Sequence, residues 1–160
     1  MPKTNKVENM KRYNAIRAIE TWQRAGAYSV RVQGMNRQHN ISLQEEFDEH
    51  DGAESKYIVL LDDTYPVATC RFYELTTDRV LLGRVVVLPE YRGKHLGARV
   101  INEAEKWIAE LGYTEIFIDA RLEATGFYEK LGYSKTDEKV FKSWKFDCTR
   151  MYKSLRGNCE

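Results

Sequence analysis

Charge of one sign is what this sequence most conspicuously lacks. Its 25 lysines and arginines stand against 24 aspartates and glutamates, a formal net charge of +1. A surface built for nucleic acid usually carries a strong basic excess, so no nucleic-acid partner is expected. Long apolar runs are missing too. Nowhere do about 18 consecutive apolar residues occur, roughly the length a membrane-spanning helix needs, and the opening MPKTNKVENMKRYN has no apolar secretion core. The expectations are no membrane partner and a cytoplasmic location. Cysteine is scarce: Cys70, Cys148 and Cys159 cannot all pair within one chain, and their spacing matches no zinc framework. A reducing compartment and no metal site follow as expectations. Proline is limited to three residues, and no linker, repeat or low-complexity tract divides the chain. Residues 1–160 are therefore expected to form one domain, with the polar residues 1–12 as a flexible lead-in.

What is present is an ordinary globular mixture, 42% apolar and 31% charged, at a length that suits one compact core. Residues 14–19 (NAIRAI) alternate weakly, as a strand would. Helical spacing runs from Glu20 to Arg37, interrupted by Gly26 and Gly34. Ser42 with Glu45 three residues later has the capping-box pattern and predicts a short helix around Leu43 to Phe47. The acidic stretch from Gln44 to Glu54 reads as a loop. Tyr57 to Leu61, residues 66–75 and residues 79–88 predict three strands, with Pro66 at the start of the second and Pro89 ending the third. An amphipathic helix is expected from His95 to Leu111. Leu96, Val100, Ile101, Ala104, Trp107, Ile108 and Leu111 fall on one face, and Gly112 follows as the stop. A strand from Glu115 to Asp119, a helical segment from Ala124 to Leu131 stopped by Gly132, and two closing strands around Lys145 complete a mixed α/β (α+β) pattern.

The informative segment is Val85 to Gly97, VVVLPEYRGKHLG. A hydrophobic strand ends at a proline, a loop with Arg92, Gly93 and Lys94 follows, and a long helix begins at once. A helix start presents amides without intrahelical acceptors and the positive end of the dipole, which suits a phosphate. Gly93 and Gly97 allow close backbone approach. A Walker-type loop needs Ser or Thr after its lysine and an earlier glycine, but His95 follows Lys94 and Leu88 occupies the earlier place; a GxGxxG fingerprint is absent.

This segment resembles the acetyl-CoA-binding motif of the GNAT acetyltransferase family, [QR]xxGx[GA] after a strand, with Arg92, His95 and Gly97 at the matching places. FYEKLGY (Phe127 to Tyr133) is similar to the family's second signature, and the order of elements over 57–155 agrees. The stretch from Arg31 to Asp51, with Gln38 and EEFDEHD, is similar to the ElaA-like and YjcF-like branch, where it occupies the substrate side; Gly34-Met35 stand in place of a Val-Phe pair. The resemblance implies a GNAT acyl-CoA N-acyltransferase fold, a mixed and mostly antiparallel sheet flanked by helices. It implies acetyl-CoA as cosubstrate and transfer of acetyl to a primary amine, on a small molecule or a protein, by direct attack in a ternary complex. Cys70 and Cys148 show no His partner pattern for a covalent route. Val85, Val86 and Val87 would hold the pantetheine arm and polarise the thioester. Arg92, Gly93, Lys94, His95, Leu96, Gly97 and Ala98 would cradle the diphosphate. His95 stands where the family most often has glycine, and a side chain fits there if the residue already has helical geometry. Tyr128 matches the tyrosine that protonates the departing thiolate. Glu74, Glu46, Asp48 and Asp119 are the candidate bases. The acidic run from Glu45 to Asp51 is either a solvated face or an attraction for cationic acceptors. Trp22, Trp107 and Trp144 are expected in the core or an interface. The alternative reading is a CoA-binding sensor or scaffold on the same fold, and a homodimer is compatible with either.

Overall fold

A computed structural model describes residues 12–156. The expected lead-in therefore lies outside the described residues except for Arg12, and Cys159 lies outside them as well. The chain begins with β1 (Tyr13–Ala18) and α1 (Thr21–Arg31), which continues as a π-helical stretch (Val32–Asn36) and a last α turn (Arg37–His39). Then come α2 (Leu43–Glu46), a 3-10 turn (Glu49–Asp51), β2 (Lys56–Asp62), β3 (Tyr65–Thr76) and β4 (Arg79–Val87). A second 3-10 turn (Pro89–Tyr91) leads into α3 (Leu96–Glu110), β5 (Glu115–Arg121), a third 3-10 turn (Leu122–Ala124) and α4 (Thr125–Lys130). Three strands close the chain: β6 (Ser134–Lys135), β7 (Phe141–Ser143) and β8 (Phe146–Ser154). Hydrogen bonding links them in the order β1-β2-β3-β4-β5-β8-β6, with β7 on β8. The β4–β5 pair is parallel, whereas β1–β2, β5–β8, β6–β8 and β7–β8 are antiparallel. This is the mixed, mostly antiparallel sheet flanked by helices that the sequence led us to expect. No helix among the described residues is long and apolar enough to cross a membrane.

Two compact units divide the chain, one holding the residues up to Arg71 with Arg84–Glu105, the other Phe72–Gly83 with the residues from Lys106 onward. In the first, Ala18, Ala27, Tyr57, Val59 and Leu61 form a buried cluster with Ile16 and Tyr28 packed on it. The glycines that seemed to interrupt the first helix lie inside it. A Cβ at Gly26 would stand 3.3 Å from Pro66 Cγ, and one at Gly34 would stand 2.3 Å from Val86 Cγ1. Both glycines serve close approach of the helix to the sheet, so tertiary packing overrides their poor helix propensity. Ser42 caps α2 as its pattern predicted, accepting from the Glu45 amide at 3.1 Å while Glu45 Oε2 accepts from the Ser42 amide at 2.9 Å.

In the second unit, Val80, Leu82, Ile108, Ile116, Ile118 and Met151 are buried, and the Phe72 and Trp107 rings meet edge to face at 5.4 Å. Gly112 and Gly132 both take left-handed backbone, at φ +93° and +95°, and stop their helices as predicted. Leu111 departs from its predicted face: it lies past the last turn of α3 and is exposed. Of the three tryptophans Trp107 lies in the core, whereas Trp22 and Trp144 are exposed, which leaves an interface as the expectation for those two.

Phe72 is 1% exposed, and its truncation removes one partner of the ring pair. Phe72→Ala is expected to lower unfolding free energy by about 3–5 kcal/mol, measured by urea titration.

Candidate active site

The first unit contains a closed ring of alternating charges that the sequence did not reveal. Arg31 Nε meets Glu46 Oε1 at 3.0 Å, and its Nη1 meets Asp51 Oδ1 at 2.6 Å. Arg71 Nη1 bridges Asp51 at 3.0 Å and Asp48 at 2.8 Å. Arg84 completes the circuit with Asp48 at 3.2 Å and Glu46 at 3.6 Å. The side chains of Arg31, Glu46, Arg71 and Asp51 are 0%, 3%, 6% and 8% exposed, so Glu46, Asp48 and Asp51 are taken up by arginines, while Glu45 and Glu49 of the same run are exposed. Burial alone would raise the Asp51 carboxyl. Hydrogen bonds from Arg31 and the Tyr57 hydroxyl, with the charges of Arg31 and Arg71, outweigh it and hold the group well below the usual carboxylate range. Asp48 is likewise held low, with Arg71 and Arg84 overcoming its burial.

Arg84 sits in β4 with left-handed backbone, φ +48°, which a side chain adopts only under constraint. The β4–β5 ladder ends just before it, at Leu82↔Ile118, although β4 runs on to Val87 and β5 to Arg121. Val85 and Val87 are half-buried, and Val86 is buried against Gly34. The Leu88 amide donates to Val67 O at 2.9 Å, and the Arg92 Nε donates to Val87 O at 3.1 Å. Arg92, Gly93, Lys94 and His95 are exposed. Gly93 has φ +78° with open space where a Cβ would stand. His95 has φ +61°, so the condition of helical geometry is not met: it uses the backbone that glycine takes without strain. The Arg99 amide donates to His95 O at 3.2 Å as the helix begins, so the amides of Leu96, Gly97 and Ala98 precede the intrahelical acceptors. Leu96 is buried, with Gly97 and Ala98 at the surface edge. The structure thus brings Val85–Val87 and Arg92–Ala98 together within one unit.

Tyr128 belongs to the second unit. It is 9% exposed in α4, its ring edge-on to Phe127 at 5.0 Å and to Tyr133 at 6.0 Å. Its carbonyl accepts from the Leu131 and Tyr133 amides, which fixes the end of α4. All four candidate bases have partners. Glu46 and Asp48 lie in the charge ring, and Asp119 accepts from Arg150 at 2.8 and 3.2 Å. Glu74 accepts from the Tyr113 hydroxyl at 2.5 Å, an interaction that pushes that phenol up to about 12. Burial pushes the Cys70 and Cys148 thiols up, so neither is primed as a nucleophile. No cluster of three potential metal ligands occurs among the described residues.

Two measurements probe this geometry. Because the folded state holds Asp48 and Asp51 below their ordinary pKa, their contribution is complete above about pH 4 and is lost as pH falls through the folded values. Asp51→Asn is expected to cost about 3–5 kcal/mol at neutral pH, and to flatten the acid limb of a stability–pH curve. His95→Gly relieves left-handed backbone and is expected to add about 1 kcal/mol, read by thermal and urea unfolding.

Residues 16–133 match the model of the acetyltransferase (GNAT) family. An uncharacterized N-acetyltransferase, YjcF of Bacillus subtilis, is 31% identical over 127 residues, covering 79% of this chain and 89% of the relative. A Lactobacillus plantarum crystal structure, provisionally assigned as an N-acetyltransferase, superposes with a TM-score of 0.84. It shares 29% identity and covers 89% of this chain and 98% of that one. Escherichia coli ElaA shares the fold at a TM-score of 0.72 with 16% identity, over 88% of this chain and 97% of its own. The strand end, the glycine turn and the helix start therefore lie in a framework shared with these proteins, and the chain belongs to the GNAT acetyltransferase family.

Proposed function

We propose that the protein transfers an acetyl group from acetyl-CoA to a primary amine by direct attack in a ternary complex. The observation that carries this reading is the end of β4: its ladder with β5 stops at Leu82↔Ile118, and the strand runs on through Val87 into the Arg92–Ala98 turn. Backbone groups beyond the ladder suit an extended pantetheine amide. The turn suits a diphosphate: Arg92 and Lys94 are exposed cations, Gly93 leaves open space, and the first amides of α3 have no intrahelical acceptor.

In the proposed reaction the amine nitrogen attacks the thioester carbonyl carbon, forming the C–N bond and placing negative charge on the carbonyl oxygen. A backbone N–H from Val85–Val87 stabilises that charge, an effect worth a few kcal/mol in a pre-ordered site. The C–S bond then breaks with its electron pair on sulfur, and the Tyr128 hydroxyl supplies the proton that makes the free thiol. The proton lost by nitrogen passes to solvent water, which returns one to the Tyr128 phenolate, since the four candidate carboxylates are engaged with cations or a phenol. The burial that pushes the Cys70 and Cys148 thiols up supports direct transfer over a covalent acyl-enzyme.

The test is thiol release from acetyl-CoA with a panel of amines, beside calorimetric titration with CoA. Tyr128→Phe is expected to lower kcat by about 100-fold, while the acetyl-CoA KM changes little. Tight CoA binding with no turnover of any amine, and no effect of Tyr128→Phe, would identify a sensor or scaffold instead.

A further inference from the structure

The three arginines of the charge ring are not equally used. Arg31 donates through Nε, Nη1 and Nη2 to Glu46 and Asp51 and is fully enclosed. Arg84 donates through Nη2 alone, to Glu46 O at 3.1 Å and Asp48 Oδ2 at 3.2 Å. Its Nε is buried without a hydrogen-bond partner, and its side chain is 30% exposed. Arg84 and Asp48, the latter 25% exposed, form the solvent edge of an otherwise enclosed ring. Burial lowers the pKa of Arg84, and repulsion from Arg71 and Arg31 adds to this against the attraction of Glu46 and Asp48. It is the ring's least compensated cation. It also directly precedes Val85–Val87, the backbone to which the reading above assigns the thioester.

We propose that Arg84 selects the acceptor by taking a carboxylate carried by the amine, which makes the substrate class amino acids or peptide-like amines with a carboxylate near the attacking nitrogen. The planar guanidinium fork matches a carboxylate better than a point charge would. The 30% of the Arg84 side chain that meets solvent is the part an added anion reaches. The opposite class, polycationic amines, finds no free acid here: Glu46, Asp48 and Asp51 are each consumed by two arginines. This inference rests on the proposed acetyl transfer for the role of the bound amine, but the binding event can be measured without it.

The experiment uses the full chain saturated with CoA. Glycine, β-alanine and 4-aminobutyrate are titrated beside glycinamide, β-alaninamide and 4-aminobutanamide, with heat as the binding signal; thiol release from acetyl-CoA is followed separately. At least one acid is expected to bind about tenfold or more tightly than its amide, as a charge-assisted pair requires. The acid-to-amide ratio is expected to fall to about one in Arg84→Met, through KM rather than kcat where turnover is seen, and Arg84→Lys is expected to recover only part of it. Thermal melts establish that each variant is folded. Should Arg84→Met not fold, the Arg84 guanidinium resonance of the wild-type protein is expected to shift with the acid and not with the amide. Acids and amides that bind alike, or a preference that survives Arg84→Met, would overturn the assignment. Acid-selective binding with no thiol release from any amine would remove the transfer reading and leave the Arg84 site standing. Equal kcat/KM for acids and amides would remove the Arg84 site and leave transfer standing.

Discussion

A guanidinium buried without a counter-charge costs far more than a folded domain can spare, and this protein buries most of three beside one another. Arg31, Arg71 and Arg84 come from α1, β3 and β4, and the only economical solution is to interleave them with the carboxylates of Glu46, Asp48 and Asp51 from the connection after α1. Closing the ring fixes the path of that connection. It also fixes Arg84, whose side chain is tied to Glu46 and Asp48 while its backbone stands at φ +48°. Left-handed backbone at a non-glycine residue persists where surrounding contacts over-determine it, and here the ion pairs supply those contacts.

The consequence lies at the next residues. Because β4 changes conformation at Arg84, its parallel ladder with β5 closes at Leu82↔Ile118, and Val85–Val87 continue beyond it. Gly34 reaches the same strand from the other side of the sequence, close enough to Val86 that a methyl group would collide. A π-helical stretch from Val32 to Asn36 carries that glycine; such insertions often mark functional positions in helices. Structural charge pairing and candidate chemistry are therefore adjacent on one strand.

The turn after β4 shows how local backbone chemistry shapes a candidate anion site. Pro89 stops the strand, the Tyr91 hydroxyl is anchored on Asp62 at 2.8 Å, and Gly93 and His95 both adopt positive φ. The family pattern places glycine where His95 stands. The structure gives the physical reason for that preference, since the position demands left-handed backbone rather than the start of a helix. His is among the residues that tolerate it best.

Apart from the two-residue strand β6, the sequence by itself determined the order and type of the main elements, because these depend on local periodicity and punctuation. The apolar face of α3, the stops at Gly112 and Gly132, the Ser42–Glu45 cap and the strand bounded by Pro89 were all legible. So were the turn residues Arg92–Ala98 and the family likeness they carry. Tertiary structure decided the rest. Gly26 and Gly34 read as breaks because their benefit lies in a close approach to Pro66 and Val86 that no local pattern records. The acidic run offered only a solvated face or an attraction for cations, because two of the partners of Glu46, Asp48 and Asp51 lie far away in sequence at Arg71 and Arg84. Arginines at positions 71 and 84, inside the apolar strands PVATCRFYEL and RVLLGRVVVL, were the signals that buried charge required matching. Charge pairing acts through space and leaves no period in the sequence, whereas helices and strands are written in one.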